Sequence, residues 1–180
     1  EEGIEHLRQL VEKYAKMKVH QVWVLSAQTA YVLTKLAAKA EITVPFEVIY
    51  LPERLEPMDV KEKTYVYAGS FNLRYLLNAE LLGRLIPSES EIQEASSEEF
   101  IPILKGDKRI NKLTIWQKSV GAEYKLFCGK KDMLQAIEQD AYEDIERAKA
   151  GTIVVFEPTA LPKLKEKFRD KKVMHYLELL

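Results

Sequence analysis

The sequence predicts an α/β fold: a layered sandwich of helices on a mixed sheet, with a Rossmann-like first half and a β-β-β-α-β second half. Three observations predict it. Short apolar runs bounded by turn residues alternate with helical-period segments through the first half. Three strand-like segments then come in quick succession after residue 99, and helix and strand alternate again to the end of the chain.

Each element has its own signal. Ile4, Leu7, Leu10, Val11 and Tyr14 recur on one face of an opening helix. Val19–Leu25 reads as a strand whose nearly unbroken apolar run suits burial on both faces. Ser26 or Thr29 starts a helix running through Leu33, Leu36, Ala37 and Ala40. Phe46–Tyr50 is a second strand. Leu51–Lys63 carries two prolines and seven charged residues and reads as a loop. Thr64–Ala68 is a third strand, leading through Gly69-Ser70 into a helix bearing Phe71, Leu73, Leu77, Leu81 and Leu85. In the second half, Phe100–Leu104, Leu113–Lys118 and Ala122–Phe127 read as strands joined by short gaps, which favours antiparallel pairing. A helix with Leu134, Ile137, Ala141, Ile145 and Ala148 on one face comes next, and Gly151 marks its expected stop. Ile153–Phe156 is an apolar strand. Pro158-Thr159 opens a helix with Leu161, Leu164 and Phe168, and Val173–Leu177 adds an edge strand.

At 180 residues, 47% hydrophobic and 31% charged, the chain has material for one domain, residues 1–180. The acidic, serine-rich stretch 87–99 is the place for an internal junction. With 27 basic and 28 acidic side chains the net charge is -1, so no global field draws the protein to nucleic acid or to an anionic membrane. Cys128 is the single cysteine, which excludes an intrachain disulfide, suits a reducing compartment and reads as a buried thiol. No apolar run approaches the roughly 20 residues needed to span a bilayer. Glu1-Glu2-Gly3 has no signal-peptide pattern, and the expected location is cytoplasmic.

Ligands in open α/β sheets sit beyond the carboxyl ends of strands, where loops lead into helix N-termini with free N–H groups. Ser26, Gln28 and Thr29 come after the first strand, and Gly69, Ser70 and Asn72 after the third. Those six are the expected binding residues for a small anionic or nucleotide-like ligand, with Glu157 and Thr159 beyond the strand at Ile153. Ser26, Ser70 and Thr159 serve equally as helix caps. Neither a Walker A loop nor a G-x-G-x-x-G loop is present, which disfavours nucleotide binding by those devices.

A second constellation is acidic. Glu123 and Lys125 alternate on a predicted strand and so point the same way, and Asp107 precedes them at a turn. An Asp, a Glu and a Lys converging on a sheet hold Mg²⁺ and orient a hydrolytic water. The order helix-β-β-β-helix-β over Phe71–Phe156 resembles the core of the PD-(D/E)XK nucleases, with Gly106-Asp107 where that family has Pro-Asp. The resemblance implies a metal-dependent nuclease with Asp107, Glu123 and Lys125 as catalytic residues, Mg²⁺ as cofactor and nucleic acid as partner. An ordinary Glu–Lys pair on a solvated sheet face has the same sequence signature.

Basic residues cluster at Lys105, Lys108, Arg109 and Lys112, and again from Lys163 to Lys172, where Glu166 and Asp170 dilute them. His6, His20 and His175 show no metal spacing and look peripheral or at a sheet edge. Trp23 and Trp116 lie in predicted strands and read as core. The expected function is therefore a ligand-binding or protein-interaction module, with a metal-dependent nuclease as the alternative. A third reading is a structural subunit of a larger assembly or homo-oligomer, with the leucine-rich helix from Phe71 to Leu85 facing the partner.

Overall fold

The computed structural model describes residues 2–58, 60, 63–86, 117–121 and 130–180. The chain divides into two compact units, Glu1–Leu55 and Glu56–Leu180. The stretch 87–99, expected to hold a junction, lies outside the described residues.

In the first unit, α1 (Glu2–Lys16) has Glu2 and Glu5 in its first turn and Lys13 and Lys16 in its last, an arrangement that complements the helix dipole. Its apolar stripe buries Leu7 and Val11, and Tyr14 meets Phe46 edge-on with ring centroids 5.8 Å apart. The helix closes on Lys18 at φ 55. Lys18 N–H bonds to the Ala15 carbonyl and Val19 N–H to that of Tyr14, so a side-chain-bearing residue sits where glycine is usual. Strand β1 (Gln21–Val24) then pairs in parallel with β2 (Glu47–Tyr50), in the register Gln21↔Glu47 to Val24↔Tyr50.

The crossover between them is helical, the usual connection of parallel strands. It runs as α2 (Ala27–Tyr31), a π-helical turn (Val32–Leu36) and α3 (Ala37–Lys39). Within it the Thr34 hydroxyl donates to the Ala30 carbonyl at 2.6 Å, a back-bond that loosens helical geometry. Trp23, expected in the core, is 53% exposed, and Leu25, just after the strand, is 44% exposed. The apolar run there suggests burial on both faces, yet β1 buries only Val24 among its four residues.

The second unit holds the larger sheet, β3 (Thr64–Tyr67), β4 (Thr152–Val155) and β5 (Lys172–His175), ordered β3-β4-β5 and parallel throughout. Every residue of β3 and β4 is buried, which is the signature of strands covered on both faces. On one face Tyr65, Tyr67, Ile153 and Val155 pack with Ala141 and Ile145 of α5 (Lys131–Arg147), with Ala148 at its C-cap and with Leu164 of α6 (Leu161–Lys167). Of the stripe anticipated on α5, Ala141, Ile145 and Ala148 are buried, while Leu134 and Ile137 are half-buried. That helix ends on Lys149 at φ 51 rather than on Gly151, whose φ is not in the left-handed region.

The helix expected from Phe71 to Leu85 is two pieces. A π turn (Phe71–Tyr75) is followed by Leu77 at φ 57, then by α4 (Ala79–Leu85). Asn78 makes the break by bonding twice to Asn72, backbone to backbone at 2.8 Å and side chain to side chain at 3.2 Å. Leu77 is left 70% exposed.

The chain is α/β, and all strand pairs among the described residues are parallel. The strands that would make the sheet mixed, Phe100–Leu104 and Ala122–Phe127, lie outside the described residues. So does Leu113–Lys118 except for Gln117 and Lys118, which are not in a strand.

Candidate functional site

The register of the larger sheet places Tyr67, Val155 and His175 side by side, so the three strands end together. Each end leads into a polar, buried stretch of chain. Beyond β3, Gly69 adopts φ 84, and the N–H groups of Ala68 and Gly69 converge on one acceptor. Both donate to the side-chain oxygen of Gln117, at 2.8 and 3.0 Å. The Gln117 Nε2 donates back to the Val66 carbonyl at 2.8 Å. One carboxamide therefore brackets Tyr67 as the backbone of a neighbouring parallel strand would. Arg74 donates to the Gln117 carbonyl at 2.9 Å, and Val120 N–H donates to the Tyr67 hydroxyl at 2.6 Å.

The residues expected to bind a ligand here are thus engaged within the protein. Asn72 is fully buried, donating to the Ala68 carbonyl at 2.8 Å and accepting from Asn78. Ser70 is buried too, and its hydroxyl makes no capping bond to the turn after it. In the first unit, Ser26 stands in extended conformation before α2 and likewise makes no capping bond. Gln28 is half-buried and Thr29 exposed. Thr159 spends its hydroxyl on the Glu157 carboxylate at 3.3 Å, and α6 is entered through Ala160. None of the three expected caps makes a cap bond.

Beyond β4, Glu157 is fully buried, and its charge joins burial in holding the Tyr176 phenol above the usual tyrosine range. Tyr176 stacks on Phe156 with centroids 4.8 Å apart and planes 8° apart. Beyond β5, His175 is buried rather than peripheral. It closes a reciprocal box on the 3-10 turn Tyr176–Leu179: its ring nitrogen Nδ1 accepts from Leu177 N–H, and its own N–H donates to Glu178 at 2.7 Å. Burial pushes the imidazole below its ordinary pKa, against the opposing pull of Glu178. The bond from the His175 amide draws the Glu178 carboxyl down.

One cleft opens over this end of the sheet. It holds about 220 Å³ and is lined by Ser119 and Gly121, by Lys131, Leu134, Gln135 and Glu138 of α5, and by Lys163 of α6. Its anchor is Glu138, which accepts from Lys163 Nζ at 2.6 and 2.7 Å, from Gly121 N–H at 3.2 Å and from the Tyr142 hydroxyl. Gly121 has φ 85, and a Cβ there would stand 2.8 Å from the Thr159 carbonyl oxygen, so the segment lies flat against the β4–α6 loop. Burial, and secondly the charge of Glu138, raise the Tyr142 phenol above its usual range. The cleft joins two ammonium groups, one carboxylate and the apolar Leu134 in a space smaller than a drug-sized pocket.

The chain matches no protein-family model, no curated protein and no solved structure. Asp107, Glu123 and Lys125, the residues of the nuclease reading, lie outside the described residues. Among the described residues no three His, Cys, Asp or Glu side chains are grouped to hold a metal ion. No helix among them is long and apolar enough to cross a membrane.

The sequence expectation of a site at the strand ends does not include Ser119, Lys131, Gln135 and Glu138, which line this cleft, or Gln117, which fills the amides beyond β3. Glu138 carries the one usable signal. It borders the apolar stripe Leu134–Ile137–Ala141, where a carboxylate needs a partner, and the basic run beginning at Lys163 supplies it.

Proposed function

We propose that the second unit is a binding module for a small anionic molecule, held in the cleft between α5, α6 and the segment Gln117–Gly121. The observation that carries this reading is the pair Lys131 and Lys163 facing one cleft at the carboxyl end of a parallel sheet. Lysines serve as compact point charges for phosphate or carboxylate heads. Gln135 and Ser119 offer neutral hydrogen bonds, and Leu134 an apolar wall. The proposed site lies away from Gly69, whose backbone amide and that of Ala68 donate to Gln117.

A thermal-shift screen of the full chain against phosphorylated and carboxylated metabolites tests it. A ligand present at a hundred times its Kd adds about 2.7 kcal/mol of stability, which displaces the midpoint by several degrees. Lys131→Ala and Lys163→Ala are expected to abolish the shift. A flat response across the whole panel overturns the reading.

A protein-interaction role has its own support in the first unit. Trp23 of β1 and Leu25 just after it display large apolar surface, and tryptophan is enriched at binding hot spots. Static light scattering across a concentration series, with Trp23→Ser as control, separates self-association from a monomer. A monomer at every concentration rules out the homo-oligomer.

A further inference from the structure

We infer that the ligand of the α5–α6 cleft carries an ammonium group beside its anionic head: a small zwitterion with one negative charge in excess. The inference rests on the small-anion reading and names the ligand class for that site. It comes from how Glu138 is held. Its side chain is 18% exposed and is paired to Lys163 through both carboxylate oxygens. Among the described residues its other donors, Gly121 N–H and the Tyr142 hydroxyl, are neutral.

An anion that enters and takes Lys163 for itself strips Glu138 of the ammonium paired with it. A carboxylate largely removed from water is then left without a countercharge, which is costly. A ligand that brings its own ammonium replaces the one it withdraws. Its anionic head then lies between Lys163 and Lys131, and its ammonium lies against Glu138. Charge supports the same conclusion. Among the described residues, two lysines and one glutamate line the cleft, one positive charge in excess, which a ligand of net charge minus one neutralises. Specificity arises because either half-ligand, a bare anion or a bare amine, leaves one charged side chain of the cleft unmatched.

Matched pairs that differ only in the amine provide the test. Isothermal titration of the full chain compares O-phosphoethanolamine with ethyl phosphate, and L-aspartate with succinate, so that phosphate and carboxylate heads are examined separately. The amine-bearing member of at least one pair is expected to bind about tenfold more tightly. Glu138→Gln keeps an acceptor for Gly121 and Tyr142 but removes the charge, and is expected to bring that ratio close to one. Lys163→Met is expected to weaken both members of the pair. Equal affinities within both pairs, on the unmodified chain, overturn the zwitterion and leave the anion site standing. Absence of binding by all four compounds overturns both.

Discussion

Gln117 shows how much one side chain can organise. Its carboxamide satisfies two backbone N–H groups and a carbonyl in a setting that is almost wholly excluded from solvent. Gln117→Leu preserves the volume and leaves Ala68 N–H, Gly69 N–H and Val66 C=O without those bonds. Buried groups orphaned in this way cost about 1–3 kcal/mol each, so with three of them a loss of roughly 3 kcal/mol or more is expected in equilibrium urea denaturation. Lys18 is the opposite case. It holds a left-handed conformation at φ 55 that glycine adopts without steric penalty. Lys18→Gly is expected to raise stability by about 0.5–1 kcal/mol in the same assay. At this scale the sequence is a partial guide. The polar residues beyond β3 are visible as a cluster, but their pattern suggests a site open to a ligand. A glutamine lying 48 residues from Gly69 leaves no local trace of where its amide is used.

Elements are more legible than the residues that end them. The stripe of α5 and the four-residue apolar strands announce themselves through period and composition, because burial of those faces is what stabilises them. The segment from Phe71 to Leu85 reads as one helix because leucines nearly all round it mask a break, and the break is made by a local Asn72–Asn78 clasp. The turn after β5 gives this scale its prediction. The His175 Nδ1 accepts from Leu177 N–H, so the proton resides on Nε2, and protonating Nδ1 breaks the box. Its folded pKa lies below 6.5, so as the pH falls the unfolded chain takes up the proton first. The stability contributed by neutral His175 is complete above about pH 6.5 and is lost progressively as the pH falls to the lowered folded value. Glu178, also lowered, adds loss in the same direction at still lower pH. His175→Gln is expected to flatten the fall in Tm between pH 7 and pH 5. An unchanged slope would show that the titration lies elsewhere.

At the scale of the whole molecule, the α/β class is legible because helices and strands alternate along the chain. Strand order is not, since pairing in a parallel sheet depends on crossovers that carry no pairwise sequence signal. The charge balance is also a whole-molecule property. With a net charge of -1 at pH 7 and an isoelectric point near 6.4, the chain carries little net repulsion in mildly acidic buffer. Its solubility in polyethylene glycol is therefore expected to pass through a minimum near pH 6.4 and to recover on either side. A minimum displaced by more than a unit would overturn that expectation.

The amide at position 117 constrains the gene as well as the fold. A planar fork that offers one donor and one acceptor side by side exists on only two encoded side chains, and asparagine is a methylene shorter. Glutamate matches the shape but would turn a lone pair toward the Val66 oxygen where an N–H now points. A mutational scan at this codon should thus find a narrower tolerance than at the surrounding aliphatic sites, where volume alone has to be conserved.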